Sequence, residues 1–179
     1  PVPAAGQVLI SVDAAGLNPA DWHFMRGEPT MIRAVAGFGA PKPPAIIGSD
    51  VAGIVTALGE GVTAVAIGDR VVAEVNRGAC AESVLVSEQG AVPIPDELDF
   101  ETVAALSMVG LTALQALRRV RGPLDGLRIL VNGASGGIGS LTVQMAVARG
   151  AEVTGVCSGR NVDLVAGLGA ESVIDYERA

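Results

Sequence analysis

Residues 129–141 read "ILVNGASGGIGSL", an apolar run that drops into a glycine-rich turn and leaves it through Ile138, Leu141 and Met145 at helical spacing. A helix that starts directly after a strand has several N–H groups without partners, aimed at one spot. Their dipoles add to a partial positive charge that suits a pyrophosphate. Gly136 and Gly137 carry no Cβ, so a ligand can approach the main chain, and Gly139 lets the helix pack tightly on the strand. Ser135 adds a hydroxyl donor. Glycine runs also occur for purely structural reasons; a strand before and a helix after favour a dinucleotide site.

The next apolar strand refines this. A site that prefers NAD ends it with Asp or Glu, which accepts bonds from the ribose 2′-OH. Here it ends "CSGR", so that Ser158 and Arg160 offer a donor and a fixed positive charge, the pair a 2′-phosphate needs. A solvated loop arginine is the bland alternative for Arg160. With the carboxylate missing, the pattern favours NADP(H).

The elements that must position these residues have two grammars. Up to about Glu97 the chain is short strands broken by Gly and Asp turns: "QVLISVDAAG", "SDVAGIVTALGEGV", "GDRVVAEV" and "AESVLVS". That predicts a small antiparallel barrel or sandwich. Residues 27–45, with Gly27, Pro29, Gly37, Gly39, Pro41, Pro43 and Pro44, read as a long loop that would shape a pocket. Pro93 and Pro95 mark a seam. Beyond it Asp99 is set to cap a helix from about Phe100 to Arg119, with Glu101 in its first turn and Arg118 and Arg119 at its end. From Arg128 the order becomes strand, turn, helix, strand, short helix, strand, the βαβαβ half of a doubly wound α/β fold.

Half of the 179 residues are apolar but only 3% are aromatic, so the core must be Ala, Val, Leu and Ile, as in parallel sheets buried on both faces. A net charge of −7 argues against nucleic acid and anionic membranes as partners. The uncharged stretch 102–117 reads as a buried helix too short to span a membrane. Cys80 and Cys157 are far apart and lack metal spacing, which suggests a reducing, cytoplasmic setting. The chain opens on Pro1 and closes just after a strand at 172–174, which reads as part of a longer protein with its first strand missing.

These motifs resemble one family. "AAGLNPADWHFMRG", "IIGSDVAGIVTALGEGV", "GDRVV", "AESVLV", "AALSMVGLTALQAL", "VNGASGGIGSLTVQMA" and "LGAESVIDY" occur in the order found in the medium-chain dehydrogenase/reductases, and most closely in their zinc-free quinone oxidoreductase, zeta-crystallin-like branch. The resemblance implies a GroES-like catalytic domain over 1–98, then over 99–179 the first half of a Rossmann NADP-binding domain. It implies an active site in the cleft between them and a homodimeric parent. It places Asn18 near the nicotinamide and Thr112 at a cofactor contact. Ser135, Gly136, Gly137 and Ile138 match the pyrophosphate turn. Ser158, Arg160 and Tyr176 match the adenosine 2′-phosphate end, where relatives often carry a Lys near Arg160; here Asn161 follows instead.

Zinc-dependent relatives need Cys, then His-Glu, then Cys or Asp. This chain has Asn18 at the first position and Ser49-Asp50 at the second, and it has no four-cysteine lobe. No catalytic zinc is expected. His23, the single histidine, would be a proton donor after hydride delivery, or else a half-buried ring packed beside Trp22 and Phe24. Asp21 reads as structural, bonding loop amides. The implied activity is zinc-independent, NADPH-dependent hydride transfer to a quinone or an α,β-unsaturated carbonyl. The alternatives are an NADPH-binding or structural protein, or an inactive fragment. A short-chain dehydrogenase is disfavoured, because a β-rich segment precedes the glycine turn, which those enzymes place at the start of the chain.

Overall fold

The computed structural model describes residues 1–28, 30–31 and 46–178. The expected loop at 27–45 lies for the most part outside them. The chain forms two compact units, Pro1–Met108 and Val109–Ala179.

The first unit is a five-stranded antiparallel sheet in the order β4-β1-β2-β3-β5, built from β1 (Gln7–Gly16), β2 (Asp50–Leu58), β3 (Arg70–Glu74), β4 (Ser83–Ser87) and β5 (Val92–Pro93). Alternation sets its faces: Val8 and Ile10 of β1, Val71 of β3, and Val84 and Val86 of β4 point into one core with Val51 and Val55 of β2. Register shifts at Leu9/Ile10 and Val12/Ala14 kink β1. A short helix not foreseen in the sequence, α1 (Pro19–Arg26), follows β1 directly and ends at Gly27 in the left-handed region.

Asp99 caps α2 (Phe100–Arg118) as expected, taking the Thr102 N–H at 2.6 Å and its hydroxyl at 2.9 Å. The division between the units falls within α2, not at the proline seam, because the first half of the helix bonds back to unit 1: Met108 N–H donates to Asp50. The reading of 102–117 as a buried stretch is corrected. Leu106 and Leu111 are 39% and 47% exposed, and only 22% of the apolar window is buried. By length and composition alone α2 could also cross a membrane, so apolar composition decides neither question.

The second unit is a parallel sheet, β6 (Arg128–Asn132), β7 (Glu152–Cys157) and β8 (Ser172–Asp175) in that order, with crossovers through α3 (Gly137–Val147) and α4 (Val162–Gly167). Val131 and Val153 of the sheet, Val143 and Ala146 of α3, and Val165 of α4 form its core. Burial on both faces was expected. Among the described residues one face stays open, with Leu130 62% and Ile174 38% exposed, because the core lies on the side of α3 and α4.

Candidate functional site

In unit 1 the site is built around Asn18, at the N-terminus of α1. Pro19 presets the first helical φ, and the Asp21 carboxylate reaches back to the Asn18 main chain as the third-position acid of a capping box does. The Asn18 N–H donates to Asp21 Oδ2 at 2.7 Å, and the Asp21 N–H returns to the Asn18 carbonyl at 3.0 Å. Asp21, buried, also accepts the Gly48 N–H through Oδ1 at 3.2 Å, the structural duty the sequence suggested. The Asn18 side chain donates through Nδ2 to Asp50 Oδ2 at 2.7 Å, and Asp50 Oδ1 takes the Met108 N–H at 3.0 Å. Asp50 thus ties α1, β2 and α2 together. Cys80 lies nearby, its thiol pushed up by burial and further by the Asp21 carboxylate.

His23 stacks on Trp22, with ring centroids 3.9 Å apart, and its Nδ1 is 2.7 Å from the Glu28 carbonyl. A carbonyl only accepts, so Nδ1 carries the hydrogen and Nε2 of the neutral ring holds a lone pair. Proton donation by His23 therefore requires the imidazolium. Among the described residues no group of three or more His, Cys, Asp and Glu side chains converges as metal ligands would.

In unit 2 the strand–turn–helix forms as the glycines suggested. Gly133 takes φ +74°, open to glycine, and Gly136 stands at the N-cap of α3. Gly139 is required by contact: a Cβ there would lie 2.1 Å from the Gly133 carbonyl oxygen. Ser140 N–H bonds to the Gly136 carbonyl, while the amides of Ser135, Gly137, Ile138 and Gly139 find no partner among the described residues. These donors fit a pyrophosphate.

Asn161, which the sequence reading passed over, links the two hydroxyls of the site. Its Nδ2 lies 3.0 Å from Ser135 Oγ and 3.2 Å from Ser158 Oγ. Ser158 is buried; Arg160 is exposed and makes no ion pair among the described residues. Tyr176 is 59% exposed, and its N–H ties β8 to the Cys157 carbonyl at 3.2 Å. Carboxylates stand close by at the end of β8 and just after it: Glu177 accepts the Gly159 N–H at 3.3 Å, and Asp175 pairs with Arg178 at 3.4 Å. Thr112 lies on an exposed turn of α2.

The alcohol dehydrogenase GroES-like domain family matches residues 4–96, just over half of the chain. The chain belongs to that family. It is a medium-chain dehydrogenase/reductase, as the sequence motifs implied. It is 41% identical to the chloroplast envelope quinone oxidoreductase homolog of Arabidopsis thaliana, over 99% of this chain and 54% of the relative. The quinone oxidoreductase of Coxiella burnetii superposes with a TM-score of 0.89 at 34% identity, over 100% of this chain and 57% of the other. That of Escherichia coli, solved in complex with NADPH, superposes with a TM-score of 0.87 at 28% identity, over 100% of this chain and 53% of the other. The chain therefore spans about half the length of the relatives it matches. These likenesses support the GroES-like plus partial Rossmann fold class read from the sequence.

Proposed function

We propose that the protein is a zinc-independent, NADPH-dependent oxidoreductase acting on a quinone or an α,β-unsaturated carbonyl. The observation that carries this reading is the N-terminus of α3: four amides without a partner among the described residues, behind a glycine turn, with Ser135 and Ser158 fixed by one side chain. Bound there, NADPH would supply hydride from C4 of its nicotinamide.

The chain's own residues do the rest. Ser135, Gly136, Gly137 and Ile138 hold the pyrophosphate, and Ser158, Arg160 and Tyr176 the adenosine 2′-phosphate end, with Arg160 as its charge. Asn18 and Thr112 orient the nicotinamide end. His23 as imidazolium, or water, protonates the reduced oxygen. Asn18, Ser49 and Asp50 offer no thiolate or imidazole for zinc at the positions where metal-dependent relatives hold it. The functional domains are taken as 1–98 and 99–179, the protein as a homodimer of a reducing, cytoplasmic compartment, and nucleic acid and membrane as absent from its partners. Free Cys80 and Cys157 support the reducing setting, and the acidic net charge the exclusion of polyanions.

The test is NADPH consumption with a benzoquinone or an enone, with and without a metal chelator. Consumption that the chelator leaves intact supports the reading. No consumption with either acceptor, or loss of activity to the chelator, contradicts it.

A further inference from the structure

Asp50 is 1% exposed, and both of its oxygens accept N–H donors: Oδ2 from Asn18 Nδ2 at 2.7 Å and Oδ1 from the Met108 main chain at 3.0 Å. It makes no ion pair among the described residues. A carboxylate in this role accepts and does not donate, so only one orientation of the Asn18 carboxamide fits. The flipped amide would set oxygen against oxygen. The main chain of Asn18 is already fixed by its two bonds with Asp21, which is itself held by Gly48 N–H. The flip of the amide is thus the freedom that Asp50 removes.

We propose that Asp50 is a positioning residue that sets the polarity of Asn18, so that Asn18 presents its Oδ1 as an acceptor to a hydroxyl or N–H donor of the bound ligand. The Asp21 N–H goes to the Asn18 main-chain carbonyl and no side-chain cap bond is made at Asn18, so both lone pairs of its Oδ1 are left for a ligand. The proposal rests on the reading of Asn18 as a ligand-contacting residue; the anchoring of the amide by Asp50 does not depend on it.

Asp50→Asn tests this with little change of shape. Met108 N–H still needs an acceptor, so the new amide turns its oxygen there and its NH2 toward Asn18. Asn18 must then flip and show a donor outward. The double variant Asn18→Asp with Asp50→Asn restores the pattern: the new carboxylate accepts from position 50 and keeps an acceptor outward.

With NADPH and benzoquinone as probes, kcat/KM of D50N is expected to fall about tenfold, and the double variant to recover most of the loss. Equal loss in both variants, or none in D50N, overturns the proposal. A second readout needs no turnover: hydrogen exchange of the Asn18 side-chain NH2. It is expected to be about tenfold slower than that of exposed Asn76, and to speed up in D50N. Exchange as fast as at Asn76 in the wild type overturns the anchoring itself. A wild type that ignores NADPH but shows slow Asn18 exchange refutes the functional reading and the ligand-facing role together, and leaves Asp50 as an anchor alone.

Discussion

The side-chain amide of Asn161 lies 3.0 Å from the hydroxyl of Ser135, 26 positions earlier in the chain. The turn after β6 and the loop after β7 are thereby joined by one side chain, which also reaches Ser158. Both hydroxyls belong to the proposed cofactor site, so Asn161 holds the site's geometry without itself needing to touch the ligand.

Asn161→Ala should therefore weaken NADPH binding about fivefold, the cost of about one neutral hydrogen bond. A fluorescence titration checks this. NADH should lose a similar factor through Ser135, which serves the pyrophosphate common to both cofactors.

Arg160→Ala should act differently. Removing the cation that faces a 2′-phosphate is expected to weaken NADPH about tenfold and leave NADH unchanged. Parallel titrations of both cofactors read the ratio. Glu177 and Asp175, close by, supply no replacement charge of the needed sign.

Gly139→Ala should damage the fold before it damages binding. The added Cβ would meet the Gly133 carbonyl oxygen at 2.1 Å and the Ala134 Cα at 2.9 Å, main-chain atoms that cannot swing aside. A loss of about 3 kcal/mol is expected, read from denaturant unfolding.

Acid should loosen unit 1 through two carboxylates, one bridging a loop and one capping a helix. Glu88 is held below its ordinary value of 4.5 by the Ala64 and Thr63 main-chain N–H groups, and Asp99 below 3.8 by that of Thr102. A depressed carboxylate contributes stability that is whole above its unfolded value and is lost as the pH falls through the lower folded one. Glu88→Gln and Asp99→Asn should each lower thermal stability most at neutral pH and flatten the acid limb, so that variant and wild type converge as the pH falls below those values.

Much of the molecule was legible in the sequence because it is local. The β6–turn–α3 unit follows from Gly133, Gly136 and Gly139 between two apolar patterns, and the Asp99 cap from a single acidic residue ahead of a helical period. The helix α1 was missed because its apolar residues face solvent: Trp22 and Met25 are 45% and 58% exposed, so no buried stripe marks it. The available signal was Asn18-Pro19 with Asp21 three residues after the cap. Asn161 and Asp50 were missed for another reason. Their partners lie 26 and 32 positions away, and only the pairing of strands brings them together. The openness of α2 was missed because apolar composition does not say which face is covered.

The most direct test of the central claim is an equilibrium titration of the protein with NADPH and, in parallel, NADH. Saturable binding of NADPH, tighter than NADH by about tenfold, is expected if the α3 turn holds the pyrophosphate and Arg160 the 2′-phosphate. Equal affinity for both would contradict the assignment of Arg160, and binding of neither would contradict the oxidoreductase reading as a whole.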